Sequence, residues 1–520
     1  MADFKRFSLI LMTGVAGATL AACDGASSIA SPGEGVIVVP APTPAPAPTP
    51  TPSPTPTPTP TGPAASCPTG TINSGVIANL RDCRLPTNIT TNLSLAKLPG
   101  VIYSMSGRTN VGVDVGGDGA AVGGTSATLT IDPGVVIYAA NQPTFLVVLR
   151  GSQINASGTE TQPIIFTSRQ NVLGEATDAS SNQWGGVVLL GRAPISNCDG
   201  GATGGAANCQ RLVEGPGANA FYGGALASDT SGTMRYVQIR YTGYSIVEGN
   251  ELQGLTTGGV GSGTTIEYIQ IHNSGDDAIE SFGGRQNMRY LVLTGNDDDN
   301  LDTDFGYKGA IQFVIAVQRA GAGDTIIEAD SDDDGQFDAT PRQYTRLANF
   351  SFVQLATGSG AVKMRGGPDY SLINGVVYNP STTAGSCLDI DTAQTVQAAD
   401  ATKDEAGPPT IRSTAFSCFR FDNSDSDTFE ADAAQNNPNS TGNNYAATVT
   451  LTDGFLPTVT GMTAATNITS SANGGSSFFV QTSYVGAVSG ASDLWYRGWT
   501  CDSSTANFGS GSACTSLPTS

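Results

Sequence analysis

Met234-Arg-Tyr-Val-Gln-Ile239 opens a pattern that recurs along this chain. It returns as Ile266-Glu-Tyr-Ile-Gln-Ile271, then as Met288-Arg-Tyr-Leu-Val-Leu293, and more loosely as Ala310-Ile-Gln-Phe-Val-Ile315. The four runs begin 32, 22 and 22 residues apart. A β-type run that recurs every ~20–25 residues indicates a solenoid of stacked coils, which means a parallel β-helix. Its coils stack at ~4.8 Å, and alternating side chains fill the bore.

The composition agrees with this fold. The 520 residues include 65 glycines, and only 13% of residues are charged, which suits strands separated by many turns. A β-propeller is the alternative, but its blades need ~40–50 residues each, and the 22-residue spacing disfavours them. We therefore predict an all-β, right-handed parallel β-helix with loop insertions over residues 67–520, ending in a C-terminal cap.

The N-terminus has the pattern of an export signal. Two basic residues precede Phe7–Leu20, an uncharged apolar stretch that is too short to span a membrane comfortably. Leu20-Ala21-Ala22-Cys23 then resembles the lipobox of bacterial lipoprotein precursors. In that family the peptide is cut before the cysteine, whose thiol carries a diacylglycerol. The resemblance implies a signal peptide at residues 1–22 and lipidation of Cys23; the alternative is an ordinary signal followed by an incidental cysteine.

A Pro-rich linker follows the lipid anchor. From Pro40 to Pro63 the chain is Pro, Thr and Ala with one Ser and one Gly, which favours an extended polyproline II spacer. We predict that residues 23–66 form a disordered stalk that holds the β-helix away from the membrane. The expected location is the cell envelope, at the outer membrane or cell surface in preference to the inner membrane. Asp24 resembles an inner-membrane retention signal of enteric bacteria, so the choice of membrane stays open.

Charge and cysteine content narrow the partners and the chemistry. A formal net charge of −21 argues against nucleic acid as a partner. The single histidine argues against a histidine-rich metal site. Besides Cys23 there are eight cysteines, an even number that predicts disulfides in an exported chain and allows 105 pairings. The simplest pairing joins sequence neighbours: Cys67 with Cys83, Cys198 with Cys209, Cys387 with Cys418, and Cys501 with Cys514.

Several longer segments resemble a known group of proteins. They are "INASGTETQPIIFTS" at 154–168, "GDDAIESFGG" at 275–284, "NDDDNLDTDFGYKG" at 296–309 and "YVGAVSGASDLWYRGWT" at 484–500. They are similar to segments of exported bacterial β-helix proteins whose fold is that of the pectin-lyase-like superfamily. Because few activities are assigned within this group, the resemblance implies the fold and leaves the function open.

Two acidic motifs suggest a cation. Asp330-x-Asp332-x-Asp334-Gly-x-x-Asp338 follows the first nine positions of an EF-hand-type loop, but Pro341 stands where a bidentate Glu is expected. We predict Ca²⁺ as a cofactor, bound by Asp330, Asp332, Asp334 and Asp338; a solvated acidic loop is the alternative. Separately, Asp276 and Asp277 lie 22 residues before Asp298 and Asp299, so the two pairs should stack one coil apart. Such stacked carboxylates would bind a cation or share protons; a solvated acidic turn on each coil is the alternative.

An enzymatic role would use the same carboxylates. Gly275-Asp-Asp-Ala-Ile279 looks like the paired-aspartate motif of polygalacturonase-type glycosidases, in which carboxylates act as general acid and base. That family also needs Gly-His-Gly and Arg-x-Lys, whereas this chain has only Lys363-Met-Arg365 in the reverse order. If the protein is an enzyme, a polysaccharide lyase or glycosidase, the candidates are Asp276, Asp277, Asp299 and Arg365. The lone His272 should point outward and be structural.

Three functions therefore stay open. The first is a non-catalytic envelope lipoprotein, calcium-stabilised, that binds a polysaccharide or an envelope protein. The second is a tethered polysaccharide lyase or glycoside hydrolase. The third is an accessory lipoprotein of a transport or secretion system. Missing catalytic motifs favour the first of these. In each case the membrane is a partner through the lipid anchor.

Overall fold

The computed structural model describes residues 62–247, 250–331, 335–356, 360–423 and 425–518. The predicted lipidation site Cys23, the signal segment and nearly all of the predicted stalk lie outside these residues. Two of the predicted calcium ligands, Asp332 and Asp334, lie outside them as well. Within the described part of the chain, no helix is both long enough and apolar enough to cross a membrane.

The described residues form thirty strands and two short α-helices. The first coils contain β1 (Ile72–Ile77), β2 (Leu80–Arg84), β3 (Asn88–Ile89), β4 (Leu93–Leu95), β5 (Val101–Met105), β6 (Arg108–Val111), β7 (Thr128–Ile131), β8 (Val136–Ala139), β9 (Phe145–Val148), β10 (Gln153–Ser157), β11 (Ile164–Ser168), α1 (Arg169–Val172) and β12 (Gly186–Leu190). An insertion carries β13 (Arg211–Leu212) and β14 (Phe221–Tyr222). The middle coils contain β15 (Gly232–Arg240), β16 (Leu255–Gly258), β17 (Thr265–His272), β18 (Ile279–Phe282), β19 (Asn287–Thr294), β20 (Leu301–Asp304), β21 (Ala310–Val317) and β22 (Ile327–Asp330). The last part contains β23 (Tyr344–Val353), β24 (Val362–Arg365), β25 (Asp369–Tyr378), β26 (Leu388–Ile390), β27 (Thr410–Arg412), β28 (Ala415–Ser417), α2 (Phe429–Ala434), β29 (Val449–Thr452) and β30 (Leu456–Val459).

Two large sheets run along the solenoid and confirm the predicted parallel β-helix. One has sixteen strands, with the main order β1-β2-β5-β8-β11-β15-β17-β19-β21-β23-β25-β27. The other has ten, in the order β26-β24-β22-β20-β18-β16-β12-β9-β6-β3. Neighbouring strands pair in parallel, except for the antiparallel hairpin β1–β2 at one edge of the first sheet. Successive coils therefore stack one on another, with their inward apolar side chains forming the core between the sheets.

Each long strand of the first sheet bends at one residue in the left-handed region of backbone conformation. These residues are Tyr236 (φ 51°), Tyr268 (φ 56°), Tyr290 (φ 60°), Phe313 (φ 62°), Asn349 (φ 55°) and Asn374 (φ 57°). Bulky side chains rarely adopt positive φ. Here the four aromatic rings stack in a column, with centroids 4.3, 4.4 and 4.9 Å apart, and this stacking offsets the backbone cost.

Because of the bend, the strand register differs from the one that the repeat predicts. Equal 22-residue spacings would place Ala310 opposite Met288, but the strands pair Met288 with Ile311. This coil is thus one residue longer, because Phe313 must occupy the bend directly below Tyr290. An offset of one residue would send the core side chains to the outer face.

The four disulfides confirm the predicted pairing of sequence neighbours. They join Cys67 to Cys83, Cys198 to Cys209, Cys387 to Cys418, and Cys501 to Cys514. The longest of the loops they close spans 31 residues. Each bridge therefore fixes a local segment of one or two coils rather than tying distant parts of the solenoid together.

A C-terminal strap, residues 460–518, runs back along the outside of the first sheet. It begins on the last coils, where Ala465 N donates to Asn374 Oδ1, and it exchanges two hydrogen bonds between Gln270 and the Cys501 backbone farther back. It ends with Leu517 packed beside Ile102 near the first coils. The strap is required because the outer face of the middle strands is apolar and would otherwise meet water.

The strap packs against the side of the coils rather than over their end: Trp495 and Trp499 lie over the column of Tyr rings. His272 does lie on the outward side of its strand, yet it is fully buried, with its ring edge-on to Tyr241 and its Nδ1 3.0 Å from Thr294 Oγ1. Burial, with a smaller contribution from the charge of Arg240, lowers the pKa of His272 to about 3, so the ring is neutral and structural. The end of the core is covered instead by Ala433 and Ala434 of α2.

Candidate functional site

The outer face of the second sheet carries a row of charged side chains. Alternation along each strand turns Leu301 and Thr303 inward and Asp302 and Asp304 outward. In register with Asp302 lie Glu280 on the preceding coil and Glu328 on the following coil. Since coils are spaced at ~4.8 Å, this places one carboxylate above the next along the solenoid axis.

These carboxylates line a cavity of about 460 Å³, which we call the acidic cleft. Its floor is the outer face of β18, β20, β22 and β24, and its opposite wall is the insertion that carries the β13–β14 hairpin. That insertion is held by the Cys198–Cys209 disulfide and by an apolar cluster that includes Tyr222, Phe282 and Phe305. The lining residues that matter below are Arg211, Glu214, Tyr222, Glu280, Phe282, Asp302, Asp304, Phe305, Glu328, Asp330 and Arg365.

Two cations close the far end of the row. Lys363 Nζ lies 3.0 Å and Arg365 Nη2 3.1 Å from Glu328 Oε1. Arg365 Nε also donates to both carboxylate oxygens of Asp330, at 3.0 and 2.8 Å. Burial alone would raise the pKa of Glu328, but a hydrogen bond with Asp299 and the charges of Lys363 and Arg365 lower it. Burial opposes the charge on Lys363, yet Glu328 raises its pKa, so this ammonium is held in its charged form.

In the middle of the cleft, by contrast, the carboxylates of Glu280 and Asp302 have no paired cationic side chain among the described residues. Glu280 is only 6% exposed, and among the described residues its Oε2 atom has no hydrogen-bond partner. Asp302 Oδ1 lacks a partner in the same part of the structure. Burial, followed by repulsion from Glu214, raises the pKa of Glu280 well above its usual value. Burial and the charge of Asp304 do the same for Asp302. Such carboxylates without donors, one buried and one half-buried, are unusual and make the middle of the cleft a candidate binding surface.

The turn that precedes the second sheet carries the stacked aspartate pairs predicted from the 22-residue spacing. Asp299 N donates to Asp277 Oδ1 at 2.9 Å, so the pairs do lie one coil apart. Burial, then the charge of Asp298, raises the pKa of Asp276 to about 8. Burial, then Asp324, raises that of Asp298 to about 6. We call Asp276, Asp277, Asp298, Asp299 and Asp324 the acid ladder.

The acid ladder and the acidic cleft meet. In the described part of the chain, four groups of three carboxylates each offer one oxygen within 4.8 Å of the others: Asp276–Asp277–Asp298, Asp298–Asp299–Asp324, Asp277–Glu280–Asp302 and Asp391–Asp425–Asp427. The first three share Asp298 and Asp277, so they form one continuous chain of acids from the turn into the cleft. Hard divalent cations prefer such oxygen ligands. Glu280 and Asp324 were missed by the sequence reasoning, although Glu280 precedes Asp302 by the same 22 residues.

The predicted EF-hand-type ligands are not brought together by the described residues. Asp330 is buried at the end of β22 against Arg365. Asp338 is well exposed, and Lys403, whose Nζ lies 2.6 Å from its Oδ2, lowers its pKa. Each of these carboxylates thus has its own cation. Because Asp332 and Asp334 lie outside the described residues, the calcium site predicted there stays a prediction.

The candidate catalytic residues are gathered on the same side of the molecule. Asp276, Asp277 and Asp299 belong to the acid ladder, and Arg365 lines the acidic cleft. Glu328 links the two parts, since it bonds Asp299 and pairs with Arg365.

Comparison with protein families fits this architecture. The family described as "Pectate-lyase like beta helix domain" matches residues 118–485, which include all of the acid ladder and the acidic cleft. Comparison with curated proteins and with solved structures finds no match. The family match covers most of the chain and agrees with the stacked parallel coils observed here, so it supports the fold and the superfamily predicted from the sequence. The chain therefore belongs to the family of pectate-lyase-like β-helix domains.

Proposed function

We propose that this protein is a non-catalytic lipoprotein of the cell envelope, whose β-helix binds calcium in the acid ladder and a polymer or protein partner in the acidic cleft. The observation that carries the proposal is the chain of seven carboxylates in three overlapping groups, with buried oxygens that no described residue satisfies. Lipidation of Cys23 and the stalk of residues 23–66 would hold this surface away from the membrane.

Calcium is the cation that best fits the acid ladder. It accepts six to eight oxygen ligands in flexible geometry, and carboxylates shared between neighbouring groups can serve two positions. Without a cation the ladder has to hold protons, since stacked buried carboxylates cannot all be ionised. Asp276, with a pKa of about 8, is then largely protonated at neutral pH. Calcium binding is therefore expected to release protons.

The cleft is better suited to binding than to catalysis. A lyase needs a base that accepts a proton from its substrate. Lys363 and Arg365 are both engaged in ion pairs, and Glu328 raises the pKa of Lys363 rather than lowering it. Arg211 lies over the ring of Phe305. This arrangement supports a charged binding surface.

Thermal melting of the purified chain tests the calcium part of the proposal. We expect calcium to raise Tm by several degrees and a chelator to reverse the rise. The Asp276→Asn/Asp298→Asn variant should lose the calcium response. The matched control is Asp425→Asn/Asp427→Asn, which removes two exposed carboxylates from the separate group on the last coils. This variant should keep most of the calcium response. An unchanged Tm on chelation of wild-type protein would rule out stabilisation by calcium.

A tethered polysaccharide lyase or glycoside hydrolase is the second candidate. It is favoured by one observation: Arg365 lines the same cleft as the carboxylates and connects through Glu328 to Asp299. A degradation screen with neutral and acidic polysaccharides separates the two functions. Turnover that disappears in a folded Asp276→Asn/Asp277→Asn variant would replace the non-catalytic proposal with the enzymatic one.

A further inference from the structure

We propose that the acidic cleft binds an organic polycation, a chain that carries several primary ammonium groups, such as an amino-sugar oligomer or a linear polyamine. This names the ligand class for the binding role proposed above and rests on that role. It does not require calcium in the acid ladder, because Asp276 and Asp298, whose substitution tests the calcium role, do not line the cleft.

The charge of the cleft is the first reason. Six carboxyl groups line it, against two guanidinium groups, so acidic side chains outnumber basic ones by four. The negative potential of this lining would repel an anionic ligand and attract a ligand with several ammonium groups. A cleft with low-dielectric walls strengthens the effect.

The second reason is that the protein already places its own cations at both ends of the cleft. Arg211 lies over the ring of Phe305, 4.8 Å from its centroid. Arg365 pairs with Asp330 and Glu328 at the other end. Between them no cationic side chain is found to pair with Glu280 or Asp302 in the described part of the chain. The two ends of the cleft thus each hold a guanidinium group of the protein. The middle offers the carboxylates of Glu280 and Asp302 with no cationic side chain beside them among the described residues.

The buried carboxylate of Glu280 is the independent observation that points to a ligand. This residue is 94% buried, as its 6% exposure shows, and its Oε2 atom, which has no partner among the described residues, belongs to a side chain that lines the cleft. A buried acceptor that stays unsatisfied is costly, and more so when it is charged. An ammonium group brings three donors and a compensating charge to such a position.

The layout of the cleft favours an elongated ligand over a single ion. Three carboxylates lie in register on successive coils, those of Glu280, Asp302 and Glu328. This gives one carboxylate every ~4.8 Å along the axis. Asp304, Glu328 and Asp330 belong to none of the compact groups that could hold one metal ion among the described residues. The lining also contains Phe282 and Phe305, whose rings stack 5.7 Å apart. A volume of about 460 Å³ is within the range of small-molecule sites.

Isothermal titration of the full chain with four probes tests the ligand class. The probes are a glucosamine tetramer, its fully N-acetylated counterpart, spermine and a galacturonate oligomer. We expect the glucosamine tetramer or spermine to bind, with affinity that falls as salt rises, and the acetylated tetramer and the galacturonate oligomer to bind at least tenfold more weakly. Preference between the glucosamine tetramer and spermine distinguishes the two sources of ammonium groups. Equal binding of the acetylated and free-amine tetramers would overturn the proposal.

Variants locate the site. Glu280→Gln/Asp302→Asn should weaken binding of the amine probe at least tenfold, and Asp425→Asn/Asp427→Asn, on the last coils, should leave it unchanged. If the first variant does not fold, Arg211→Glu, at the rim of the cleft, replaces it and should tighten binding. Unaltered affinity in a folded cleft variant would contradict the assignment. If wild-type protein responds to calcium but binds no amine probe, the cleft assignment fails and the calcium role stands. If it binds the amine probe but does not respond to calcium, the calcium role fails and the cleft assignment stands.

Discussion

The backbone N–H of Asp299 donates to Oδ1 of Asp277, 2.9 Å away and 22 residues earlier in the chain. The backbone of one coil thus donates a hydrogen bond to a carboxylate of the preceding coil. The same stacking brings Asp298 within 4.8 Å of Asp276 and Asp277. Charge is concentrated along one edge of the solenoid because the repeat places like residues at like positions.

The stability of the calcium-free protein should fall as pH rises. The pKa of Asp276 is raised to about 8 and that of Asp298 to about 6, so the folded state binds more protons than the unfolded chain above pH ~4. The stabilisation from these protons is complete below pH ~4 and is lost as pH increases through the folded-state values. Melting curves in chelator should therefore show a falling Tm between about pH 5 and pH 8, and a rising Tm over this range would contradict the ladder.

Neutralising one acid of the ladder should have opposite effects with and without calcium. In chelator at pH 8, Asp276→Asn removes a buried charge that repels Asp298, and we expect the free energy of unfolding to rise by about 1–2 kcal/mol. In saturating calcium the same change removes a ligand and should lower stability. Urea unfolding under both conditions measures the two signs, and Asp425→Asn, in the separate acidic group, serves as control.

The column of aromatic rings should contribute strongly to stability. Tyr268 stacks on Tyr236 and Tyr290 while its backbone is at a positive φ of 56°. Tyr268→Ala removes the stacking and retains the strained backbone, so we expect a loss of about 3–5 kcal/mol in urea unfolding. Tyr268→Asn should cost less, because asparagine tolerates this conformation and already occupies the bend at Asn349. Equal losses for the two variants would show that the backbone at the bend is not strained.

The C-terminal strap should depend on Trp499. This side chain is fully buried and meets the rings of Tyr236 and Tyr268 edge-on. Trp499→Ala is expected to destabilise the strap by about 3–5 kcal/mol. Hydrogen exchange should then accelerate in residues 499–518 while strands of the core stay protected. The partly buried Trp495 is the comparison, and Trp495→Ala should have a smaller effect.

Lipidation should depend on Cys23 alone. In cells fed a labelled fatty acid, wild-type protein should carry label and remain with the membrane fraction, whereas Cys23→Ser should be exported without label. Label retained in the Cys23→Ser protein would disprove the anchor. Because Cys23 lies far before the first coil, calcium response and Tm of the purified β-helix should not change.

The sequence alone determined the features that depend on local spacing. The repeat beginning at Met234 indicated stacked coils, and the 22-residue distance between Asp277 and Asp299 placed their carboxylates together. The disulfides followed from proximity along the chain, since each closes within one or two coils. In a solenoid, neighbours in space are one repeat apart in sequence, which makes such contacts readable from the repeat.

Only the tertiary structure decided what covers the coils. Nothing in the repeat indicated that residues 460–518 return along the first sheet and bond Gln270, because that contact joins segments more than two hundred residues apart. The insertion that completes the acidic cleft over Glu280 likewise has no repeat of its own. The one-residue shift at Ile311 depended on ring stacking at Phe313. Local spacing fixes the stack, whereas burial of its outer faces depends on packing between segments that share no pattern.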